Sequence, residues 1–253
     1  MPYSSVAELP PILHTETWAW EKFAPPDSPD WPRFWVGTDD AGNKWLSKMR
    51  GSFYGYRELI FERLVQHAGW LSQSSAFTVL PKNSPPIQTS NHAVERTQLL
   101  TLFLREHSHE YCGPTCLRRH CKGITNSTDP EIIEKLPLRD ALNVARCNIL
   151  APLFGGNEPA DFLLTDEHDV YLINGEQMFA TRPCDVRETT WWESDGGKRI
   201  TRDICKTIGA FSDADLQHFL KVPAGIRIKR LWNIRDKVFG ARDYAKEFAL
   251  TIS

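Results

Sequence analysis

Phe154 to Phe179 reads FGGNEPADFLLTDEHDVYLINGEQMF. Two short apolar runs, Phe162-Leu163-Leu164 and Val170-Tyr171-Leu172-Ile173, flank the polar stretch Thr165-Asp166-Glu167-His168-Asp169. Runs of this length around a polar turn predict a tight β-hairpin. Asp161 enters its first strand and Asn174 leaves its second. A hairpin brings its outer ends together, so these two polar residues are expected to be neighbours.

Upstream, Ala141 to Leu153 has an apolar helical pattern carrying polar Asn143, Arg146 and Asn148, and it delivers the chain to Phe154-Gly155-Gly156. Asp129-Pro130-Glu131 has the composition of a helix N-terminus, an Asp cap followed by Pro at the first position. Earlier still, Gln98 to Glu106 and Ser75 to Pro81 read as strands. Tyr56 to Gly69 reads as a helix, with Leu59, Ile60, Leu64 and Val65 as its apolar stripe and Gly69 as its stop. Glu58 and Glu62, four apart, share a face of that helix. Two strands around Asp39-Asp40-Ala41-Gly42-Asn43 form a hairpin. Alternation on its second strand puts Lys44, Leu46 and Lys48 on one face and Trp45 and Ser47 on the other. Residues 1–32 are Pro-rich, an extended arm with one short strand near Thr15 to Phe23. Downstream of Phe179, a charged turn from Ser194 to Arg199 precedes a helix near Arg202 to Ile208. Ser212 caps another helix, Asp213 to Leu220, and Ile226 to Phe248 closes the chain as one or two amphipathic helices.

The 253 residues are 41% hydrophobic, with a net charge of −2. That composition supports a real core and carries no global signal for nucleic acid or a membrane surface. No apolar run approaches the ~20 residues of a membrane-spanning helix. The first residues, MPYSSVAELPPILHTE, lack a basic region followed by an apolar one, so no signal peptide is expected and the expected location is cytoplasmic. Nine tryptophans, five of them between Trp18 and Trp45, suit a small sheet building its core from few large side chains.

His107 to Cys121, HSHEYCGPTCLRRHC, gathers Cys112, Cys116, Cys121, His107, His109 and His120. Four such ligands satisfy tetrahedral Zn²⁺, and Cys112, Cys116, His120 and Cys121 are the candidate set. Their C-x3-C-x3-H-C spacing differs from paired C-x2-C knuckles. Reduced thiols in a solvated loop, and a redox-active or disulfide arrangement, remain alternative readings.

A β-rich first part with one helix, followed by a mostly helical part holding one hairpin, is an α+β order with a break near Arg105. Several strings in that order resemble HipA-like kinases, a bacterial branch of the protein-kinase and phosphatidylinositol-kinase-like superfamily. They are WLSK at 45–48, GSFYGYRELIFERLVQHAG at 51–69, LLTLFLRE at 99–106, GNEPADFLL at 156–164 and VYLINGEQMF at 170–179. The resemblance spans residues 34 to 245, and order and spacing together carry it. It implies a two-lobed protein-kinase-like fold: an arm at 1–33, an N-lobe at 34–106, the Cys/His-rich insertion at 107–128 and a C-lobe at 129–253. It also implies ATP and Mg²⁺ as cofactors, and phosphate transfer to a protein or small-molecule acceptor.

By position, the resemblance makes Lys48 the lysine that reaches the nucleotide phosphates, with Glu62 as the better match for its helical partner and Glu58 second. Leu104, Arg105 and Glu106 match the hinge that meets adenine. No Gly-rich phosphate loop stands out; Gly37 to Gly42 reads as a plain turn, with Gly51 to Gly55 as a substitute. The family's D-R-H-x-x-N loop is altered. Asp161 stands at the metal-binding Asn position, Asn174 at that of the second metal-binding Asp, and Gly156 at that of the catalytic Asp. One carboxylate and one amide still suit Mg²⁺, and Glu158 is the substitute candidate for the base. Three readings follow: an active phosphotransferase with a remodelled site, a pseudokinase acting as an interaction module, and a zinc-stabilised binding protein.

Overall fold

The computed structural model describes residues 12–23, 34–49, 51–88, 95–102, 138–156, 161–164, 170–173, 175–228 and 231–251. The first part is a five-stranded antiparallel sheet of β1 (Ala19–Phe23), β2 (Phe34–Thr38), β3 (Lys44–Ser47), β4 (Ser75–Val79) and β5 (Thr97–Leu102). Their order across the sheet is β1-β2-β3-β5-β4. Helix α1 (Ser52–His67) crosses from β3 to β4, and a single turn, α2 (Pro85–Gln88), follows β4. Helix α3 (Leu138–Leu153) leads into a separate hairpin, β6 (Asp161–Leu164) and β7 (Val170–Ile173). Three short 3₁₀ turns then precede α4 (Asp195–Gly209), α5 (Asp213–Phe219) and α6 (Leu231–Thr251).

Local chemistry sets these elements. The Asp39 carboxylate accepts bonds from the backbone of Ala41 and Asn43, the Asn43 amide and the Trp45 indole, which fixes the β2–β3 turn. Gly42 there has φ +81°, the left-handed region that glycine enters freely. Those bonds hold the Asp39 carboxyl below its usual range against the opposing effect of desolvation, the largest single influence on it. Helix α1 begins earlier than its apolar stripe indicates. Gly51 makes no side-chain cap, and the Glu95 carboxylate instead accepts from the Ser52 N–H and hydroxyl at 2.8 and 2.7 Å. Ser194 opens α4 by accepting from the Gly197 N–H, so the expected charged turn is the first turn of a helix. Ser212 and Asp215 form a reciprocal capping box at α5.

Two expectations change here. β1 pairs along its length with β2, so the strand foreseen in the arm belongs to the sheet, which starts before residue 34. Gly51 is the extended N-cap of α1 and Gly55 lies inside that helix rather than in a phosphate loop; an added Cβ on Gly55 would sit 2.7 Å from the Cβ of Leu99.

The expected break near Arg105 does not divide the hydrophobic core. One cluster runs from Tyr56, Leu59, Phe61 and Leu64 of α1 and Phe77 of β4 through Ile149 and Phe154 to Ile204, Val238 and Phe248. Helix α1 is its centre. Arg57, Glu58 and Glu62 are buried there alongside the apolar stripe. Its far side meets the end of α5, where Tyr56 Oη donates to Leu220 O at 2.6 Å and Arg63 Nη1 donates to Phe219 O and Lys221 O. No helix among the described residues is long and apolar enough to cross a membrane.

Candidate functional site

The site is built from the exit of β3, one face of α1 and the two ends of the β6–β7 hairpin. Leu46 on β3 is buried, and alternation turns Lys48 to the same side, toward α1. Met49, at φ +52°, and Gly51 then swing the chain into the helix. Glu58, two turns into α1, meets Lys48 with Nζ to Oε1 at 2.7 Å. Both side chains are only 10% exposed. Glu176 approaches the same ammonium from the other side at 3.6 Å, its side chain 5% exposed. The lysine is therefore shared by a carboxylate on α1 and one just after β7.

The helical partner of Lys48 is thus Glu58, and the preference for Glu62 is corrected. Four residues carry Glu62 about 6 Å further along the helix axis, past the reach of Lys48. Its Oε1 instead accepts from the Ser75 N–H of β4 at 3.1 Å and from Gln66 Nε2 at 3.2 Å. Its Oε2 is buried with no hydrogen-bond partner. Burial, opposed in part by the bond from Ser75, pushes the Glu62 carboxyl up to about 8. A cavity of about 10 Å³, lined by Glu58, Glu62, Ser72, Ser75 and Gly175 among others, separates this carboxyl from the hairpin.

The expected hairpin forms, with Asp161 paired to Ile173 and Leu164 to Val170. It is tied to the loop between α1 and β4. The Leu172 N–H donates to Leu71 O, and Ser72 Oγ donates to Leu172 O. The chain then turns through Gly175, Glu176 and Gln177 against α1. An added Cβ on Gly175 would lie 2.4 Å from Phe61, so only glycine permits this approach. Asp161 is described by its backbone alone, at the hairpin end where Ile173 precedes Asn174. Asn174, Glu158, Arg105, Glu106 and the candidate zinc ligands Cys112, Cys116, His120 and Cys121 lie outside the described residues. Among the described residues, no three His, Cys, Asp or Glu side chains are grouped to hold a metal.

Position 156, matched to the catalytic aspartate, is a half-buried glycine whose N–H donates to Ala151 O at 2.7 Å. It has no side chain to offer. Glu176 was absent from the sequence expectations. The signal available for it was an acid two residues beyond Asn174, following a fully apolar strand.

No protein-family model matches the chain, and no curated protein does. Among solved structures it is similar to the crystal structure of a Helicobacter pylori proinflammatory kinase, CtkA. Sequence identity is 8%, over 87% of this chain and 95% of that chain, with a TM-score of 0.46. A similarity at this level identifies neither a family nor an activity.

Proposed function

We propose that the chain is a HipA-like, kinase-fold protein that binds ATP with Mg²⁺ at Lys48. The observation that carries this is the buried Lys48–Glu58 pair, formed between the residue that follows the third strand and the next helix. In protein kinases a third-strand lysine is held by a glutamate of the following helix so that it can meet the nucleotide phosphates. A lysine held between two carboxylates is ordered before a ligand arrives. The donor types at 161 and 174, a carboxylate and an amide at one end of the hairpin, suit Mg²⁺, which takes oxygen ligands. When bound, that ion would offset phosphate charge. The residues that would hold it are Asp161 and Asn174. Arg105 and Glu106 are the proposed adenine contacts, and Glu158 the proposed base for transfer to a protein or small-molecule acceptor.

A second reading, a nucleotide-binding pseudokinase, is favoured by Gly156. With no side chain at that position, nothing there accepts the proton of an acceptor hydroxyl. Melting with and without Mg·ATP tests the common part. Saturating nucleotide at ~100 times its Kd stabilises by about 2.7 kcal/mol, so the wild type should melt higher with nucleotide and Asp161→Ala should not. Incubation with γ-labelled ATP separates the two readings. Label in wild type that is lost in Glu158→Gln supports transfer, and none in either supports the pseudokinase.

A further inference from the structure

Beyond Glu176 the chain makes a turn whose carbonyls are held by cations from two distant helices. Met178 O accepts from Arg57 Nε of α1. Phe179 O and Ala180 O both accept from Lys237 Nζ of α6, at 2.9 and 2.6 Å. Phe179 itself has φ +59°, a left-handed conformation that a phenylalanine adopts only when its surroundings impose it. Its N–H donates to Phe154 O at 2.7 Å, and the Thr181 N–H donates to Gly155 O at 2.9 Å. The Phe154 ring packs between those of Phe61 on α1 and Phe179, at centroid distances of 6.1 and 5.4 Å. The turn thus joins α1, α6 and the start of the segment that leads through Gly156 to Asp161.

Arg57 and Glu58 are adjacent on α1 and serve the same neighbouring segment. Glu58 reaches it through Lys48, which also contacts Glu176. Arg57 reaches it directly, two residues later, and its guanidinium attracts Glu176 as well. Arg57 is 5% exposed, so its charge is committed to this junction. An apolar side chain could not donate there. Three carbonyls held in a row need strong donors, and hydrogen bonds from charged groups are the stronger kind.

We infer that Arg57 and Lys237 are positioning residues: by clamping the 178–180 carbonyls they hold Glu176 against Lys48 and set the lysine for the nucleotide. This rests on the reading of Lys48 as the phosphate-facing cation. Neither residue need touch the nucleotide.

The test joins amide hydrogen exchange with calorimetric titration of Mg·ATP on the full chain. In Arg57→Met and Lys237→Met, the Met178, Phe179 and Thr181 amides should exchange about tenfold faster or more. Amides within α4, such as Ile208, should keep wild-type rates, which separates a loosened turn from general destabilisation. Mg·ATP affinity should fall about tenfold in Arg57→Met and recover in part in Arg57→Lys, which keeps a donor cation. If Arg57→Met does not fold, Arg57→Lys and Lys237→Met carry the same comparison. Unchanged exchange at 178–181, or faster exchange spread equally through α4, overturns the clamp. No nucleotide binding in wild type, with the local exchange pattern seen in the variants, sinks the proposed function and leaves the clamp standing. A loosened turn with wild-type affinity overturns the positioning role.

Discussion

On the β3–α1 side of the site, a lysine meets a glutamate at 2.7 Å with both side chains nine-tenths buried. On the 154–161 side, the position that the sequence resemblance matches to a catalytic aspartate is a glycine, bonded through its N–H to the end of α3. The first side is where we propose that a nucleotide binds. The second, at position 156, offers no side chain. A buried cation stays only where carboxylates hold it, because an unpaired buried charge is costly. The fold therefore holds Lys48 for its own stability, whatever the lysine does for a ligand. A proton-accepting side chain at 156 has no such second role, and the fold stands without it.

Lys48→Met should break the first side most severely. It takes the cation from two buried carboxylates, and removing one partner of a buried pair costs about 3–5 kcal/mol. Chemical denaturation would show this as a lower midpoint. An unchanged midpoint would mean that the pair contributes nothing to the fold. Gly175→Ala strikes where the two sides touch. Its Cβ would meet Phe61 at 2.4 Å, and overpacking of this kind costs about 1–3 kcal/mol. The accompanying shift of α1 should also weaken Mg·ATP binding.

The existence and chain order of most strands, α1 and the hairpin were legible from apolar periodicity, because those patterns report which faces are buried. Which glutamate meets Lys48 was not legible. Glu58 and Glu62 share a helix face, and the choice depends on where α1 starts, set by Met49 at φ +52° and by a cap contributed from Glu95, some forty residues later. The role of β1 was obscured by the Pro-rich sequence around it. Ser194 looked like part of a charged turn because Asp195-Gly196-Gly197 is poor helix sequence, yet its hydroxyl caps α4. Glu176 escaped because its importance comes from a lysine 128 positions away, and the hydrophobic pattern says nothing about that contact.

Glu62 sharpens the comparison through pH. Burial raises its folded-state carboxyl from 4.5 to about 8. Below about 4.5 both folded and unfolded chains hold the proton, and the stability linked to it is fully present. Between about 4.5 and 8 the unfolded chain releases the proton first, so stability falls as pH rises. Melting temperature should therefore drop over this window by about 3 °C or more in wild type, and less in Glu62→Gln, which is neutral throughout. Equal slopes in the two proteins would show that Glu62 is not held protonated. The smallest effect is expected from Tyr56→Phe. It removes the hydroxyl bond to Leu220 O and should cost about 1 kcal/mol, with Mg·ATP binding unchanged because α5 lies away from Lys48.

The central claim is that Lys48, among the lysines of this sheet, is the one placed for a nucleotide. Calorimetric titration of Mg·ATP into wild type, Lys48→Met and Lys44→Met tests it most directly. Lys44 opens the strand that Lys48 follows, but pairs with Glu21 at the surface. Binding is expected in wild type, with the same affinity in Lys44→Met and none in folded Lys48→Met. Binding that survives loss of Lys48, or no binding in wild type, would contradict it.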